Sequence, residues 1–443
     1  MKILYVVHQF YPKAYTGTEK FVLQLAQACQ QAGHTVNVVT YDMPSNNGLF
    51  PASALRSVKQ RIRAVSQQYG VNLTQLWTFA AQGRPNPIAV RDYVYQDIPV
   101  LAFARQRRPT QSGDPALLDF ARELLQRERP DLIHAGHTLR VVDFLTVAVE
   151  LGIPYLLTLT DFGVICPNCK LLTERGQLCH GPRGGETCRS GCPTLRQKQV
   201  RQRLDQMLRL LQQAAQVIAP SHFLADKVAR EFGSLDLKVI PYGMDTQALQ
   251  PNSRCYPNAE PLRFCFAGAL IEAKGVELLL SAFQALPDRN SRLEIYGTGP
   301  LLPTVQRAAQ ADQRITYGGC YAIEQLNGLL NRVDVVVVPS VWHENLPLVM
   351  QEAQAAGVPT LVSDVGGMTE CVTDGVNGFT FRVGDVADLQ RKMQVIIDQP
   401  AILNGIKENI RNPQPGHYRV TSLAEEAALY LKEYEKILAL SAE

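Results

Sequence analysis

Residues 335–352, VVVVPSVWHENLPLVMQE, decide how this chain folds. Four consecutive valines are typical of a strand covered on both faces, and Leu346, Leu348 and Val349 begin the spacing of an amphipathic helix. The turn between them is therefore a helix N-terminus, which offers backbone N–H groups near Asn345, Leu346 and Leu348 together with a partial positive charge. Such a turn can bind a phosphate or another polar ligand through its backbone.

Two carboxylates, Glu344 and Glu352, lie in this stretch with seven residues between them. Glu344 stands in the turn, where a ligand would lie, and Glu352 stands in the predicted helix. From the spacing alone, the stretch is equally well a strand-turn-helix unit in which a glutamate caps the helix. The choice between a binding site and a cap depends on the rest of the chain.

The chain has 443 residues, of which 46% are hydrophobic, so we expect two domains of roughly 200 residues or more and not one core. A net charge of +3 gives no reason to expect nucleic acid as a partner. The N-terminal MKILYVVHQF reads as a first strand and not as a signal peptide, and no segment approaches about 18 uninterrupted apolar residues. Ten cysteines in such a chain indicate reduced thiols or metal ligands, and a cytoplasmic location.

The first half alternates strands and helices, with a helix at 18–32 and strands at 3–7, 35–40, 130–134, 153–160, 217–221 and 238–241. This alternation is typical of a doubly wound parallel sheet, in which ligands lie beyond the carboxyl ends of the strands. Residues 44–115 have weaker patterning, and we expect helices and loops there, including a helical segment at 56–69. Their basic run, Arg105, Arg107 and Arg108, is either a solvated face or a contact for an anionic acceptor or lipid headgroups.

The second half repeats the pattern, with a helix at 276–285 and strands at 262–267, 293–297, 315–319, 333–339 and 360–363. The fold class is therefore α/β, with two Rossmann-like doubly wound domains joined by a linker that reaches Pro261. Glu370 is expected to cap a helix. A last amphipathic helix is predicted at 422–440.

A cysteine-rich loop at 166–192 is the most distinctive local feature, because it carries five thiols and an imidazole among many Gly and Pro residues. The pattern is Cys166-x2-Cys169, Cys179-His180 and Cys188-x3-Cys192. So irregular a segment has little other means of holding a fold, and thiolates that bind Zn²⁺ in tetrahedral geometry would supply one. Free thiols and an oxidised pair are the alternatives.

The organising stretch resembles the donor-site signature of the retaining glycosyltransferases of family 4 (glycosyl transferases group 1). The resemblance rests on Glu344-x7-Glu352, preceded by Pro339-Ser340 and followed by Ala353-x-Ala355-Ala356-Gly357-x-Pro359. It implies the GT-B architecture, in which two Rossmann-like domains face each other across a cleft. The acceptor domain would be residues 1–245 and the nucleotide-sugar domain residues 262–415, with a helix at 420–443 crossing back to the first domain.

The resemblance implies a role for each donor-side residue. Glu344 would contact hydroxyls of the transferred sugar, Glu352 would hold the ribose, and Lys274 would pair with the donor diphosphate. The family usually supplies an arginine at the position of Ala269, so backbone amides would have to compensate here. The remaining donor-binding candidates share a place at the end of a strand or the start of a helix, and they are Gly17, Gly268, Gly297, Gly299, Asn345, Leu346 and Leu348.

On the acceptor side, the resemblance points to His134, His137 and Asp161 as catalytic candidates beside Glu344 and Lys274. The family often has His-x-His at the first place, whereas Gly136 stands where its second histidine would be. It commonly has His-Asp at the second place, so Asp161 would lack an imidazole partner, since Thr160 precedes it. A histidine at a strand end is otherwise a satisfied structural residue.

A related subgroup of these transferases has a similar cysteine pattern, and it implies Cys166, Cys179, Cys188 and Cys192 as a structural metal set over the acceptor entrance, with Cys169 spare. The chain contains no Asp-x-Asp triplet. The expected catalysis therefore requires no cofactor, because Lys274 and helix-end amides would neutralise the leaving diphosphate.

The implied function is retaining transfer of a sugar from a nucleotide-sugar donor to a glycan, lipid-linked or other hydroxyl acceptor. A nucleotide-sugar epimerase of the same fold and a non-catalytic glycan- or nucleotide-binding partner subunit are the alternatives. A peripheral contact with the inner face of the membrane would suit a basic helix at 195–215, whose polar side would carry Arg196, Lys198, Arg201, Arg203 and Arg209.

Overall fold

The computed structural model describes residues 1–12, 17–41, 88–104, 113–246, 248–256, 261–321 and 325–441, and the backbone of Leu73–Phe79. None of the described helices is both long and apolar enough to cross a bilayer. The helical segment predicted at 56–69 and the basic run Arg105, Arg107 and Arg108 lie outside the described residues.

The first half forms one mostly parallel sheet. Within the described residues its strands are β1 (Lys2–Val7), β2 (Thr35–Tyr41), β3 (Leu73–Phe79), β4 (Ile88–Tyr95), β5 (Ile98–Ala104), β6 (Leu132–Ala135), β7 (Tyr155–Thr158), β8 (Gln216–Ala219) and β9 (Leu237–Val239). They lie side by side in the order β3-β4-β5-β2-β1-β6-β7-β8-β9. β1 is central and buried from Ile3 to Val7, as a continuous apolar run requires.

The helices of this half cover both faces of the sheet. They are α1 (Gly17–Gln31), α2 (Pro115–Glu128), α3 (Val142–Glu150), α4 (Glu186–Gly191), α5 (Gln197–Gln213) and α6 (His222–Phe232). Local signals set two of their starts: the Asp114 side chain accepts a hydrogen bond from the Ala116 N–H ahead of α2, and Ser221 does the same for the Leu224 N–H ahead of α6.

The expectation of helices and loops across residues 44–115 is wrong for the part that is described. β3, β4 and β5 form antiparallel pairs that extend the parallel sheet at one edge. Gln96 and Asp97, both with positive φ, make the tight turn between β4 and β5. The sequence does not indicate this turn, because Gln96-Asp97 is not the Asn-Gly or Asp-Gly pair that usually marks such hairpins.

The second half forms a fully parallel sheet in the order β13-β12-β11-β14-β15-β16. The strands are β11 (Arg263–Ala267), β12 (Arg292–Tyr296), β13 (Ile315–Gly319), β14 (Val335–Val338), β15 (Thr360–Ser363) and β16 (Gly378–Phe381). Its helices are α7 (Val276–Gln284), α8 (Leu302–Ala311), α9 (Leu326–Leu330), α10 (Leu348–Ala355), α11 (Met368–Cys371), α12 (Val386–Asp398) and α13 (Ile402–Arg411). The prediction of two doubly wound α/β units is confirmed.

The last helix, α14 (Leu423–Ser441), packs on the first sheet after a short parallel pair, β10 (Gly243–Met244) and β17 (Thr421–Ser422). Its Tyr434 hydroxyl lies 3.1 Å from the Tyr5 hydroxyl in β1, and its Tyr430 hydroxyl lies 3.1 Å from Thr158 Oγ1 in β7. The end of the chain therefore packs against the core of its beginning.

Each sheet reverses its strand order at one place. In the first sheet this switch point lies between β1 and β6, and in the second it lies between β11 and β14. The loops that leave adjacent strands at a switch point diverge to opposite faces and open a crevice at the carboxyl edge of the sheet. These two crevices contain most of the predicted site residues.

Candidate functional site

Glu344 lies at the second switch point, in the loop after β14. Its Oε1 accepts hydrogen bonds from Lys274 Nζ at 2.6 Å, Ser340 Oγ at 2.7 Å and Trp342 Nε1 at 2.7 Å. Burial acts to raise the pKa of this carboxyl, but the charge of Lys274 and the three donors lower it below its ordinary value. Glu344 is therefore a buried, ionised carboxylate that is held in one orientation.

The loops around Glu344 approach so closely that Gly275, Gly366 and Gly367 can only be glycine. A Cβ on Gly275, where φ is 68°, would lie 1.8 Å from the Pro339 carbonyl oxygen. A Cβ on Gly367 would lie 1.8 Å from the Asn345 carbonyl oxygen. Backbone is thus packed against backbone on both sides of the turn, and this packing positions Lys274 and Glu344.

Gly268, Gly297 and Gly299 lie in neighbouring loops, after β11 and β12. A Cβ on Gly297 would lie 1.8 Å from the Gly268 carbonyl oxygen, and one on Gly299 would lie 2.5 Å from the Leu270 carbonyl oxygen. The resemblance implied that this turn lets backbone approach a nucleotide. In the structure, the glycines first allow the two loops to approach each other.

Glu352 lies within α10 and faces the other sheet. Lys20 of α1 places Nζ 2.6 Å from Glu352 Oε1, and the two side chains are only 21% and 9% exposed. Gly17 lies at the start of α1, where an added Cβ would be 3.6 Å from Leu348 Cδ1. The cleft is therefore closed at this point by an ion pair, and the backbone at Gly17 lies near the Leu348 side chain.

Asn345 also connects the two halves. Ser221 Oγ donates to Asn345 Oδ1 at 2.7 Å, and the Asn345 amide donates to the Thr160 carbonyl at 3.4 Å. Glu370 accepts hydrogen bonds from the His222 and Phe223 N–H groups at the start of α6. The prediction that Glu370 caps a helix is confirmed, and that helix belongs to the opposite half of the chain.

The N-terminus of α10 has the form expected of a backbone ligand site. Pro347 precedes the helix and provides no side-chain hydrogen bond to its first N–H groups. Leu346 is buried in the turn, and Leu348 is the first helical residue. Because no side chain among the described residues caps α10, its N-terminal dipole and amides can serve a bound anion.

His137 and Asp161 come together at the first switch point. The Leu139 N–H donates to His137 Nδ1 at 2.9 Å, which leaves the ring proton on Nε2, and Nε2 donates to Asp161 Oδ2 at 2.9 Å. Asp161 was expected to lack an imidazole partner, and that expectation is wrong, because His137 supplies one from 24 residues earlier. The pair aligns because β6 and β7 are adjacent parallel strands.

The Asp161 carboxylate is ionised and partly open to the cleft. Burial acts to raise its pKa, but the interaction with His137 and the hydrogen bond from the Gly163 N–H lower it below the ordinary value. Its side chain is 34% exposed. The His8 ring packs on the His137 ring with centroids 4.1 Å apart, so the group is supported from β1 as well.

His134 is not at the substrate surface, contrary to the prediction. It is fully buried, with Nδ1 2.6 Å from the Tyr434 hydroxyl and Nε2 2.7 Å from Thr158 Oγ1. Both ring nitrogens are therefore occupied within the protein core. Side chains alternate between the two faces of a strand, and His134 of β6 points into the layer between the sheet and α14. Its role there is to anchor the last helix.

Arg203 does not lie on the exposed basic face, contrary to the prediction. It is buried and donates to the carbonyls of Gly163 and Val164. The other four basic residues of that set, Arg196, Lys198, Arg201 and Arg209, are exposed. Arg203 instead supports the loop that carries Asp161.

The cysteine-rich loop separates its five thiols into two groups. Cys166, Cys179, Cys188 and Cys192 line one small cavity. Cys169, with a φ of 60°, places its sulfur within 4.8 Å of the ligand atoms of His137 and Asp161. The loop also reaches the donor side, because the His180 ring packs 6.1 Å from the ring of His343, the neighbour of Glu344.

Sequence reasoning missed Lys20, Ser340, Trp342 and His8. Ser340 and Trp342 flank Glu344 within the organising stretch, so their short spacing from it was the available signal. Lys20 directly follows the Gly17-Thr18-Glu19 segment, but its partner lies 332 residues away. No local pattern reveals a pair so distant in sequence.

The cleft therefore contains two Lys–Glu pairs, each with an N–O distance of 2.6 Å, on either side of an uncapped helix start. A ligand that carries both hydroxyl groups and an anion can exchange with both pairs. The hydroxyls of such a ligand would donate hydrogen bonds to the two carboxylates in place of the lysines. Its anion would then accept hydrogen bonds from the lysines and from the helix amides.

Comparisons with known proteins give the family and the fold of this chain. A family model described as Glycosyl transferase 4-like domain matches residues 16–243, and one described as Glycosyl transferases group 1 matches residues 261–399. The chain is 27% identical over 310 residues to D-inositol 3-phosphate glycosyltransferase of Arthrobacter sp. (strain FB24), covering 65% of this chain and 66% of that protein. It is 30% identical over 206 residues to glycogen synthase of Mycobacterium tuberculosis, covering 43% of this chain and 48% of that protein. The chain thus spans about half to two thirds of the length of these relatives.

Among solved structures, HepE of Anabaena in complex with UDP superposes with a TM-score of 0.66 at 18% identity, covering 98% of this chain and 100% of that one. Sucrose-phosphate synthase of Thermosynechococcus elongatus gives a TM-score of 0.68 at 17% identity, covering 99% and 100%. At these identities the likeness shows a shared fold, and the GT-B architecture implied by the sequence is confirmed.

Proposed function

Because this chain belongs to the family 4 glycosyltransferases (glycosyl transferases group 1), we propose that it transfers a sugar from a nucleotide-sugar donor to a hydroxyl acceptor with retention of configuration. The observation that carries the proposal is the pair of carboxylates on either side of the α10 N-terminus, each bonded to a lysine at 2.6 Å. A nucleoside diphosphate sugar has hydroxyls at both ends and an anion between them, which matches this order of groups.

On donor binding, the two ion pairs exchange partners. The ribose hydroxyls donate to Glu352, hydroxyls of the transferred sugar donate to Glu344, and the diphosphate lies at the start of α10. Lys274 and Lys20, released from their carboxylates, then contact the diphosphate as point charges. Lys20 would thereby supply, from the opposite half of the chain, the second cation missing at Ala269.

These groups stabilise the charge that develops on the leaving phosphate without a metal ion. The acceptor hydroxyl attacks from the same face as the leaving group, and its proton passes to the departing phosphate oxygen. The protein mainly positions and stabilises the reactants. Glu344, fixed by Ser340 and Trp342, keeps the transferred sugar oriented while it gains oxocarbenium character.

Asp161 would orient the acceptor. Its carboxylate is ionised, partly exposed and held by His137 and the Gly163 N–H, so one lone pair can accept a hydrogen bond from an acceptor hydroxyl. His137 touches Asp161 and is a positioning residue, because its Nε2 proton is already donated. The acceptor class is a glycan or a lipid-linked hydroxyl compound.

A cytoplasmic location with a peripheral contact at the inner face of the membrane is the second part of the proposal. Its support is the exposed basic residues at the start of α5 and along it, Arg196, Lys198, Arg201 and Arg209. Co-sedimentation with anionic vesicles, lost when these four residues are replaced by glutamine, is the expected result. Equal binding to neutral vesicles would contradict it.

The test of function is incubation of the purified chain with a panel of nucleotide sugars, starting with UDP-glucose because the Anabaena neighbour was solved with UDP-glucose. Glycan and lipid-linked alcohols serve as acceptors, and release of nucleoside diphosphate is followed. Transfer with a retained anomer, abolished by Glu344→Gln and unaffected by the exposed control Glu435→Gln, supports the proposal. Interconversion of donor sugars would instead identify an epimerase, and binding without turnover a non-catalytic subunit.

A further inference from the structure

Four of the five thiols in the cysteine-rich loop surround one small cavity, although no three of their sulfur atoms lie within 4.8 Å of one another. Cys166, Cys179, Cys188 and Cys192 line a single cavity of about 10 Å³, together with Leu171 and Leu172. This volume is about that of one water molecule or one ion. Of the four cysteines, Cys166, Cys188 and Cys192 are buried.

The loop around this cavity contains little regular structure. Within the described residues, that structure consists of the single bridge between Leu172 and Leu178 and the short helix α4. Its buried side chains are divided between two apolar clusters: Cys188 packs with Val200 and Leu204, whereas Cys166 and Leu171 pack in the core of the first half. A group bound by all four thiols would link these two parts of the loop.

We propose that Cys166, Cys179, Cys188 and Cys192 bind one Zn²⁺ ion as four thiolates, in a closed structural site. Four Zn–S bonds of about 2.3 Å place tetrahedral sulfurs about 3.8 Å apart. The ion fills the cavity and draws the four sulfurs together. Zn²⁺ binding then links the segments that carry the four cysteines and stabilises the loop.

Another set of residues has its ligand atoms closer together but is chemically unsuited to bind a metal. His137, Asp161 and Cys169 have their ligand atoms within 4.8 Å of one another, the one such trio in the described part of the chain. However, His137 Nδ1 already accepts the Leu139 N–H, and Nε2 carries the proton that it donates to Asp161. Neither nitrogen has a lone pair for a metal, so the trio is a hydrogen-bonded group.

The position of the zinc site relates it to the proposed sugar transfer. Cys179 precedes His180, whose ring packs 6.1 Å from His343, and His343 also packs on Phe223 at 5.2 Å. His343 is the neighbour of Glu344. The ion therefore fixes a wall of the cleft next to the donor carboxylate, and its loss loosens that wall.

The first experiment measures metal in the full chain, purified under reducing conditions without chelator and then exposed to Zn²⁺ alone. Elemental analysis is expected to give about one zinc per chain. Cys179→Ser should lose it, whereas Cys169→Ser, in the same loop, should retain it. Because a ligand variant can fail to fold, the wild-type chain loaded with Co²⁺ gives a second readout, the visible absorption of a tetrahedral cobalt thiolate.

The inference is overturned if the wild-type chain binds no zinc before or after addition of Zn²⁺. It is also overturned if Cys169→Ser, and not Cys179→Ser, removes the metal, or if unreduced peptides show a disulfide between two of the four cysteines. This outcome is separable from the proposed function, which rests on turnover of nucleotide sugars. Zinc without turnover refutes the function alone, and turnover without zinc refutes the site alone.

Discussion

Lys20→Met tests whether this lysine moves from Glu352 to the donor diphosphate. The Lys20–Glu352 pair has an N–O distance of 2.6 Å and lies mostly out of solvent, with 21% and 9% of the side chains exposed. A charge-assisted contact of this kind contributes about 2 kcal/mol, so removing the lysine should weaken donor binding by about 30-fold. The nonpolar methionine retains the length of the side chain.

The assay compares three ligands by calorimetry: a nucleoside, its diphosphate and the nucleotide sugar. Lys20→Met should weaken the two phosphate-bearing ligands by about 30-fold and leave the nucleoside nearly unchanged. Lys436→Met, which removes an exposed lysine of α14, is the matched control and should change none of them.

The decisive measurement is made in a Glu352→Gln background. If Lys20 contacts the diphosphate, Lys20→Met still lowers the affinity for the nucleoside diphosphate in that background, because the contact does not require Glu352. If Lys20 serves only to pair with Glu352, the second substitution has no further effect on affinity. That second result would refute the exchange of partners.

Three other results are expected. Glu344→Gln should lower kcat by about 100-fold because it removes the charge that Lys274 and the transferred sugar use, and a variant with full kcat would exclude Glu344 from the site. Gly275→Ala should lower the melting temperature by several degrees and abolish donor binding, because its Cβ would lie 1.8 Å from the Pro339 carbonyl oxygen. The control is Gly405→Ala, which lies in a helix with open space around the Cβ and should be neutral or stabilising. Equal effects of the two substitutions would contradict the argument. Burial raises the pKa of Glu426 from 4.5 to about 8, so the contribution of this carboxyl to stability is complete below about pH 4.5 and is lost as the pH rises to about 8. In thermal unfolding, the melting temperature of Glu426→Gln should therefore decline less than that of the wild type across this range. An unchanged pH profile would reject the role.

Much of the fold was predictable because its elements have local signatures. The runs at 3–7 and 335–338 are continuous apolar strands, and both lie at the centre of a parallel sheet. Glu344 and Lys274 were also predictable, since each follows a strand at a switch point of a doubly wound sheet. Their direct contact at 2.6 Å was not predictable, because the two residues are 70 positions apart in the sequence.

Other features could not be predicted from the sequence, because they depend on packing between segments that are distant in the chain. His134 and His137 look equivalent on the chain, yet the first is enclosed by Tyr434 and Thr158 while the second holds Asp161. Only the position of α14 over β6 separates them. The edge hairpin was missed for a different reason, since its turn is Gln96-Asp97 and carries no glycine.

The amino-acid sequence alone indicated two Rossmann-like units, the candidate carboxylates Glu344 and Glu352 and an unusual set of thiols, because strand burial, helix periodicity and motif spacing are properties of neighbouring residues. Tertiary structure decided which groups meet. Lys20 pairs with Glu352, which is 332 residues away in the sequence, and Ser221 bonds to Asn345 across the cleft. The Cys169 sulfur lies near Asp161, whereas the four other thiols of the loop line a cavity. Such pairings depend on the placement of one sheet against another, and no periodicity along the chain records it.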